Sequence, residues 1–169
     1  MEGIKFEKVS FEEFKRSFLT VDAFATDEGI KKYYDNIKLP KRSTSGSAGY
    51  DFIAPYQMDV FGGLSDTYPT GIKVKMPKNV VLMLYTRSSL GFFYGIRLAN
   101  TVGIVDSDYY NNERNEGQIF VKYFSPDAHT FLTIQAGEKY MQGVFINYLT
   151  TEDDDTTQER VGGIGSTGK

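Results

Sequence analysis

Hydrophobic residues near the start of the chain recur at helical spacing. Phe11, Phe14 and Phe18 stand at positions i, i+3 and i+7, which places them on one face of an α-helix. Ser10 precedes this stripe, and Glu13 follows Ser10 by three residues, a pattern typical of a capping box. The sequence therefore predicts a helix that begins at about residue 11.

A second short helix is predicted from Asp27 to Asn36. Ile30, Tyr33 and Ile37 would lie on one side of it, and Pro40 would stop it. Residues 1–39 are therefore expected to form a helical N-terminal extension. Two interpretations stay open: an appendage that packs on the main domain, or a surface that binds a partner.

From Gly46 the pattern changes to short apolar or alternating runs, punctuated by Gly, Pro, Asn and Asp. This pattern predicts an all-β antiparallel barrel or sandwich. Strands do not alternate with helices, which argues against a parallel nucleotide-binding sheet. The predicted strands are Ala48–Ala54, Gly71–Lys75, Val80–Thr86, Gln118–Phe124, Phe131–Ile134 and Tyr140–Tyr148.

The C-terminal part is polar and rich in acid and then in glycine. Residues 150–158 include four consecutive acidic residues, and residues 160–169 include four glycines. Such a segment has little to bury and is expected to be a flexible arm. The predicted organisation is an extension over 1–39, a β domain over 40–149 and an arm over 150–169.

Composition narrows the classes of function. The chain has no Cys, so thiolate metal sites and Cys nucleophiles are excluded. Its net charge of −3 argues against a general nucleic-acid binder. The first residues are too charged for a signal peptide, and no apolar run reaches the roughly 18 residues of a membrane span. A cytoplasmic protein without nucleic-acid or membrane partners is expected.

Few side chains could carry covalent catalysis. The single His, His129, stands in a predicted surface turn, so neither Ser88 nor Ser89 has an evident base. Carboxylates, Arg, hydroxyls and glycines remain. That set suits Mg2+-assisted chemistry on a phosphate with water as the nucleophile.

Five short segments have this character: Ala48–Asp51, Arg87–Gly91, Asn100–Tyr109, Gly137–Gln142 and Gly162–Gly168. Together, in this order, they resemble the five motifs of the trimeric dUTPase family. Singly, each is more often a turn or a surface ion pair. Arg87–Gly91 is expected to be a turn that Gly91 closes. The resemblance covers the chain from about Leu39 onwards.

The resemblance implies a jelly-roll-like antiparallel β-barrel and a homotrimer whose active sites are shared between subunits. It implies hydrolysis of dUTP to dUMP and pyrophosphate with Mg2+, which keeps uracil out of DNA and supplies dUMP for thymidylate synthesis. The C-terminal arm would close as a lid. The long segment Asp108–Gly117 is similar to the variant of some Gram-positive bacteria and their phages.

Residues of the third motif would act on the α-phosphate and the nucleoside. Asp106 matches the catalytic carboxylate, which orients the attacking water, whereas Asp108 matches no essential role. Asn100 would bond the uracil edge, aided by the backbone of the next hairpin, which includes Gly103. Tyr109 would lie under the sugar and exclude a 2′-hydroxyl.

The phosphates would be bound by residues of the other motifs. Mg2+ would be held mainly by phosphates and water. Asp51 would support a metal-bound water only indirectly. The phosphate-binding residues implied in the β domain are Arg87, Ser88, Ser89, Gly91 and Gln142, of which Ser89 and Gly91 would offer backbone N–H groups.

In the arm, Arg160, Ser166 and Thr167 would grip the β- and γ-phosphates, next to Gly165. Ile164 departs from the family pattern, which has a Phe that stacks on uracil. Because aromatic geometry adds roughly 0.5–1.5 kcal/mol beyond area burial, the sequence predicts weaker lid closure.

Two alternatives stay open. One is a dCTP deaminase or bifunctional enzyme, which shares the barrel. The other is a dUTPase-fold protein with an added regulatory protein partner, if phage-encoded, bound through the N-terminal extension or through Asn111–Glu116.

Overall fold

A computed structural model describes residues 3–158, 160 and 162. In this part of the chain the fold is mostly β, with three α-helices. The helices are α1 Phe11–Phe18, α2 Asp27–Asn36 and α3 Ser88–Tyr94. The strands are β1 Lys5–Lys8, β2 Lys41–Arg42, β3 Tyr50–Ile53, β4 Met58–Phe61, β5 Gly63–Leu64, β6 Tyr68–Pro69, β7 Ile72–Lys75, β8 Val80–Thr86, β9 Arg97–Leu98, β10 Gly103–Val105, β11 Phe120–Val121, β12 Tyr123–Ser125, β13 Phe131–Ile134 and β14 Lys139–Asn147.

The largest sheet is antiparallel and has the strand order β10-β8-β14-β3-β2. Its centre is the pairing of β8 with β14, in register from Met141 opposite Thr86 to Asn147 opposite Val80. Along β8, Val80, Leu82 and Leu84 are buried while the residues between them are partly exposed. This alternation gives the sheet one core face and one outer face.

Strand pairing does not close a barrel within the described residues. Beside the five-stranded sheet there are three two-stranded sheets and one three-stranded sheet. The strands outside the large sheet have only two to four residues each, so each pairing contains only a few backbone hydrogen bonds. The mostly β character is shown, whereas the closed barrel expected from the sequence is not.

The N-terminal segment packs on the core. Strand β1, which helical periodicity did not reveal, pairs with β7 over Lys5–Lys8. Phe14 and Phe18 on α1 and Ile30 on α2 are buried. The ring of Phe18 meets that of Tyr56 edge to face at 4.8 Å. Burial of these large side chains favours the packing interpretation of this segment.

The cap of α1 is shared with a distant residue. The Ser10 hydroxyl accepts from the Glu13 backbone N–H at 3.2 Å, as a capping box requires. The reciprocal bond does not come from Glu13: the Ser10 backbone N–H donates to Glu116 at 3.0 Å. The Glu13 carboxylate is buried and points elsewhere.

One predicted strand and one predicted turn differ from the structure. Gln118–Phe124 is interrupted, because β11 and β12 pair with different partners, β6 and β5. The segment after Thr86 is helix α3, which ends at Gly95 with φ 64°. His129 is exposed in a turn, as predicted. None of the helices in the described ranges is long and apolar enough to cross a membrane.

Candidate active site

A cavity of about 270 Å³ opens where the third motif leaves the large sheet. Its base is β10, which pairs with β8 so that Gly103 stands opposite Leu84. A Cβ atom on Gly103 would lie 3.0 Å from the Cβ of Leu84, so glycine allows this close approach. The lining residues are Leu84, Asn100, Gly103, Ile104, Val105, Asp106, Tyr109, Ile119, Phe120 and Arg160.

Asp106 lies at the rim of this cavity, directly after β10 and before the 3-10 turn Ser107–Tyr109. Its side chain is 49% exposed and pairs with Nη2 of Arg160 at 2.6 Å. Nε of Arg160 lies 2.9 Å from Asp108. One guanidinium thus bridges two carboxylates, and Asp106 keeps access to solvent and to a ligand.

Tyr109 is buried under the same guanidinium, which lies 5.7 Å from its ring centroid. Its hydroxyl donates to the backbone carbonyl of Gln118 at 2.9 Å and accepts from the Asn115 amide at 2.7 Å. Burial raises the pKa of the Tyr109 phenol, so the hydroxyl stays protonated and able to donate. Both bonds hold the phenol oxygen in place.

Asn100 is exposed at the cavity mouth, in a tight turn. The Val102 backbone N–H donates to the Asn100 carbonyl at 2.7 Å, and Thr101 has φ 67°. A non-glycine residue in the left-handed region is uncommon and costs about 1 kcal/mol or more. The turn holds the Asn100 amide beside β10.

A second cluster of charges surrounds Asp51, whose side chain is only 5% exposed. Asp51 pairs with Arg87, lies 2.9 Å from Nζ of Lys139 and accepts from the Ser43 hydroxyl at 2.6 Å. Burial alone would raise the pKa of Asp51, but the bonds from Ser43 and Lys139 and the charge of Arg87 lower it below its ordinary value. The carboxylate therefore anchors Arg87 and Lys139.

Arg87 opens helix α3 and lines a second cavity, of about 420 Å³. Ser88 and Ser89 are exposed in the first turn of α3, where helix amides have no intrahelical partner. The backbone N–H of Gly91, in contrast, donates to the Arg87 carbonyl at 3.1 Å. The expectation that Gly91 offers a free amide is therefore wrong, because this segment is a helix and not a turn.

Gln142 lines the same cavity from β14. Its amide donates to the Thr86 carbonyl at 3.4 Å. A Cβ atom on Gly49 would lie 2.7 Å from its Oε1, so the small residue of the first motif leaves room for this side chain.

The structure thus brings the implied residues together as two sets. Asn100, Gly103, Asp106, Tyr109 and Arg160 share one cavity. The second set, around the other cavity and Asp51, comprises Asp51, Arg87, Ser88, Ser89, Gly91 and Gln142. Leu84 lines the first cavity and Tyr85 the second, and successive residues of a strand point to opposite faces.

Some residues of the site were not evident from the sequence. Lys139 belongs to the fourth motif, but its ion pair with Asp51 needed the pairing of β14 with β3. Ile119 and Phe120 also line the first cavity. The sequence placed them in a predicted strand but did not indicate that they belong to the site. Ile164, Gly165, Ser166 and Thr167 lie outside the described residues.

Fold and site define a mostly β protein in which carboxylates and Arg side chains meet beside a partly apolar cavity. A family model described as dUTPase matches residues 35–168, most of the chain. The chain therefore belongs to the dUTPase family.

Named relatives agree with this assignment. The deoxyuridine 5'-triphosphate nucleotidohydrolase of Lactococcus lactis subsp. lactis (strain IL1403) is 41% identical over 146 residues, which cover 83% of this chain and 95% of that protein. The Escherichia coli O9:H4 (strain HS) protein of the same name is 34% identical over 139 residues, 78% of this chain and 87% of that protein.

Solved structures agree as well. The dUTPase from Streptococcus mutans matches with a TM-score of 0.64 at 32% identity and covers 87% of this chain and 98% of its own. A mutant dUTPase from phage phi11 of S. aureus, in which a structural Mg(II) ion is coordinated, matches with a TM-score of 0.62 at 14% identity, over 93% of this chain and 98% of its own. That second likeness concerns the fold alone.

Proposed function

We propose that this protein hydrolyses dUTP to dUMP and pyrophosphate. The observation that carries the proposal is that Asp106, Asn100, Tyr109 and Arg160 line one cavity in a chain of this family. Water would attack the α-phosphorus while Asp106 takes its proton, and the bond from the α-phosphorus to the bridging oxygen would break. Pyrophosphate would leave in line with the attacking water.

Asp106 has the geometry of a general base. It is half exposed, so a water molecule can reach its carboxylate. Nη2 of Arg160 donates to one oxygen of this carboxylate at 2.6 Å. A triphosphate would compete for that guanidinium, since Arg pairs with phosphate as well as with carboxylate.

Recognition of the nucleoside would come from the same cavity. Asn100 would bond the uracil edge, with backbone groups near Gly103. A cytosine there would leave a buried donor or acceptor unpaired, which costs about 1–3 kcal/mol. Tyr109 would pack under the sugar and leave no space for a 2′-hydroxyl.

Phosphate contacts would come from Arg87, Ser88, Ser89 and Gln142, and from Arg160, Ser166 and Thr167 with Gly165 in the arm. The Arg87 guanidinium is anchored by Asp51 and 28% exposed, so it can meet an anion without moving far. Gly91 would contribute by lining the cavity, since its amide is already bonded. Ile164 would cover the uracil ring without stacking on it.

Mg2+ is the proposed cofactor, held mainly by the phosphates and water, where it neutralises negative charge. Within residues 3–158, 160 and 162, no group of three or more His, Asp or Glu side chains could hold a metal. Mg2+ commonly keeps several waters and binds through substrate phosphates, so it does not require such a group of protein ligands. Asp51 would act on a metal-bound water only indirectly, because Ser43, Lys139 and Arg87 already engage it.

A homotrimer with shared active sites, each subunit a jelly-roll-like barrel, is proposed as the assembly. The two sets of site residues line different cavities, which supports completion of each site by a neighbouring subunit. Phe92 and Phe93 on α3 are 89% and 80% exposed, which is typical of an interface. Thr86 Oγ1 is buried without a hydrogen-bond partner in the described residues, so a group from outside them would complete this cavity.

In the cell, we propose a cytoplasmic role that keeps uracil out of DNA and supplies dUMP. An added regulatory partner stays an alternative, because Asn111, Glu113 and Arg114 of the segment considered for such contact are exposed. Asn112 and Asn115, in the segment considered for such contact, are buried, and so are Phe14 and Phe18 of α1.

The test is release of pyrophosphate from dUTP, dCTP, dTTP and UTP, each with Mg2+ and with EDTA. Turnover of dUTP alone, lost with EDTA, is the expected result. Turnover of dCTP would favour the alternative of a dCTP deaminase or bifunctional enzyme, and ammonia release would then be measured. Absence of turnover with every nucleotide would refute the proposal.

A further inference from the structure

A buried polar network joins helix α1 to the proposed sugar-binding Tyr109. Its central member is Gln118, whose side chain is fully buried. The Gln118 amide nitrogen donates to Glu13 Oε1 at 3.1 Å and to the Ser17 hydroxyl at 2.8 Å. Its carbonyl Oε1 accepts from the Gly71 backbone N–H at 3.1 Å. Both amide protons of the side chain and its oxygen are thus engaged.

Glu13 is the acceptor on which this network depends. The residue is only 7% exposed. Its Oε1 also accepts from the Ser17 hydroxyl at 2.8 Å, while its Oε2 accepts from Nε of Arg16 at 3.1 Å. A buried carboxylate persists only when it is paired and hydrogen-bonded. Donors from Ser17, Arg16 and Gln118 meet that need for Glu13.

The backbone of Gln118 carries the network to the cavity. Its carbonyl accepts the Tyr109 hydroxyl at 2.9 Å, and its N–H donates to the Asn115 carbonyl at 2.8 Å. The Asn115 amide completes the ring of contacts with a 2.7 Å bond to the Tyr109 hydroxyl. The side chain that bonds α1 and the carbonyl that holds Tyr109 thus belong to the same residue, Gln118.

The same helix holds the loop from Tyr109 to Gln118 at further points. Ser10 bonds Glu116 through its backbone N–H, and the Arg16 guanidinium donates to the Arg114 carbonyl. The loop contains no strand, and two of its non-glycine residues have a left-handed backbone, with φ 55° at Asn111 and 54° at Glu116. Bonds within the loop, such as the 2.7 Å bond from the Asn112 amide to the Asn115 side-chain oxygen, also hold it, so its conformation depends on these bonds together with the contacts from α1.

We infer that Glu13, through Ser17 and Gln118, is a positioning residue that holds Tyr109 in place for selection of deoxyribose. Helix α1 is then part of the specificity machinery and not only an appendage to the core. This inference rests on the proposed hydrolysis of dUTP and on the proposed place of the sugar beside Tyr109.

The experiment compares kcat and KM for dUTP and UTP in the full chain with Mg2+, for wild type and for Glu13→Ala. The readout is the ratio of kcat/KM for dUTP to that for UTP. We expect this ratio to fall about five-fold in Glu13→Ala, since even a 1 Å misplacement at a reacting site can cost on the order of 100-fold. A purely structural loss would lower the active fraction and kcat for both nucleotides while leaving KM and the ratio unchanged.

Two matched variants sharpen the comparison. Glu13→Gln keeps an oxygen acceptor for Ser17 and Gln118 and should restore most of the ratio. Glu12→Ala removes an exposed carboxylate from the neighbouring position of α1 and should leave the ratio at the wild-type value. If Glu13→Ala does not fold, Ser17→Ala decides instead, because it removes the hydroxyl that links Glu13 to the Gln118 amide.

Hydrogen exchange followed by mass spectrometry gives a second readout that needs no turnover. Backbone amides of residues 109–118 should exchange faster in Glu13→Ala, while those of β8 should keep wild-type protection. An unchanged ratio together with unchanged exchange in 109–118 overturns the inference. If wild type fails to hydrolyse dUTP, the proposed function fails, and the exchange experiment still decides whether Glu13 holds the loop.

Discussion

Replacing Asp51 by Asn removes the charge that anchors Arg87 beside the second cavity. The carboxylate is 5% exposed, lies 2.9 Å from Lys139 and accepts from Ser43 at 2.6 Å. Hydrogen bonds to charged groups are worth about 1.5–3 kcal/mol each. Breaking a fully buried ion pair costs roughly 3–5 kcal/mol.

The loss of folding free energy in Asp51→Asn should be smaller than the cost of breaking a fully buried ion pair. Arg87 and Lys139 are 28% and 44% exposed, so each can regain water when the negative charge is removed. Asparagine also keeps one oxygen that can accept from Ser43. We therefore expect the free energy of unfolding to drop by about 2 kcal/mol at pH 7.

The loss of stability caused by Asp51→Asn should become smaller as pH falls. The folded pKa of Asp51 is lower than the unfolded value of about 4, so its ionised form stabilises the folded state. That stabilisation is complete above the unfolded pKa and is lost as pH falls through the folded pKa. The gap between wild type and Asp51→Asn should therefore shrink from about pH 4 downwards.

Urea unfolding at pH 7 and pH 3, at one protein concentration, measures this gap. Asp35→Asn is the matched control, because Asp35 is 59% exposed and pairs with Lys31 on the helix surface. Its cost should stay below about 0.5 kcal/mol at either pH. Equal stabilities of Asp51→Asn and Asp35→Asn at pH 7 would refute the reasoning, as would a gap for Asp51→Asn that does not narrow at low pH.

Three further outcomes follow from the site. Asp106→Asn should lower kcat for dUTP by about 100-fold or more with little change in KM, whereas Asp108→Asn should have a much smaller effect in the same steady-state assay. Ile164→Phe should lower KM for dUTP up to about ten-fold, because stacking adds roughly 0.5–1.5 kcal/mol; unchanged kinetics would contradict this. Gly117→Ala should lower the melting temperature, since φ is 79° and its Cβ would lie 2.5 Å from the Tyr109 carbonyl; an unchanged melting curve would count against this backbone constraint.

Local patterns predicted the elements whose side chains alternate between core and solvent. Helix α2 and strands β8 and β13 have the predicted bounds. Five strands have only two residues each, which is too few to show an alternating pattern in the sequence: β2, β5, β6, β9 and β11. Helix α3 was predicted as a turn because Ser88, Ser89 and Gly91 are residues that favour turns.

Membership of the dUTPase family could be predicted from the sequence, because five short motifs in one order are specific where each alone is not. The residues assigned to the site could be named for the same reason. Their contacts could not, since they join residues far apart in the chain. Arg160 meets Asp106 across 54 positions, and Glu116 bonds Ser10 across 106.

The sequence by itself thus determined the family, the mostly β character and the helical spacing of the first aromatic residues. Only the tertiary structure decided that Glu13 turns inward to Gln118, across 105 positions, while Glu116 takes over its expected capping bond. The physical reason is that a hydrogen bond depends on distance in space. Periodicity reports which face of an element is buried, but the partner of a buried polar group is set by how the elements pack.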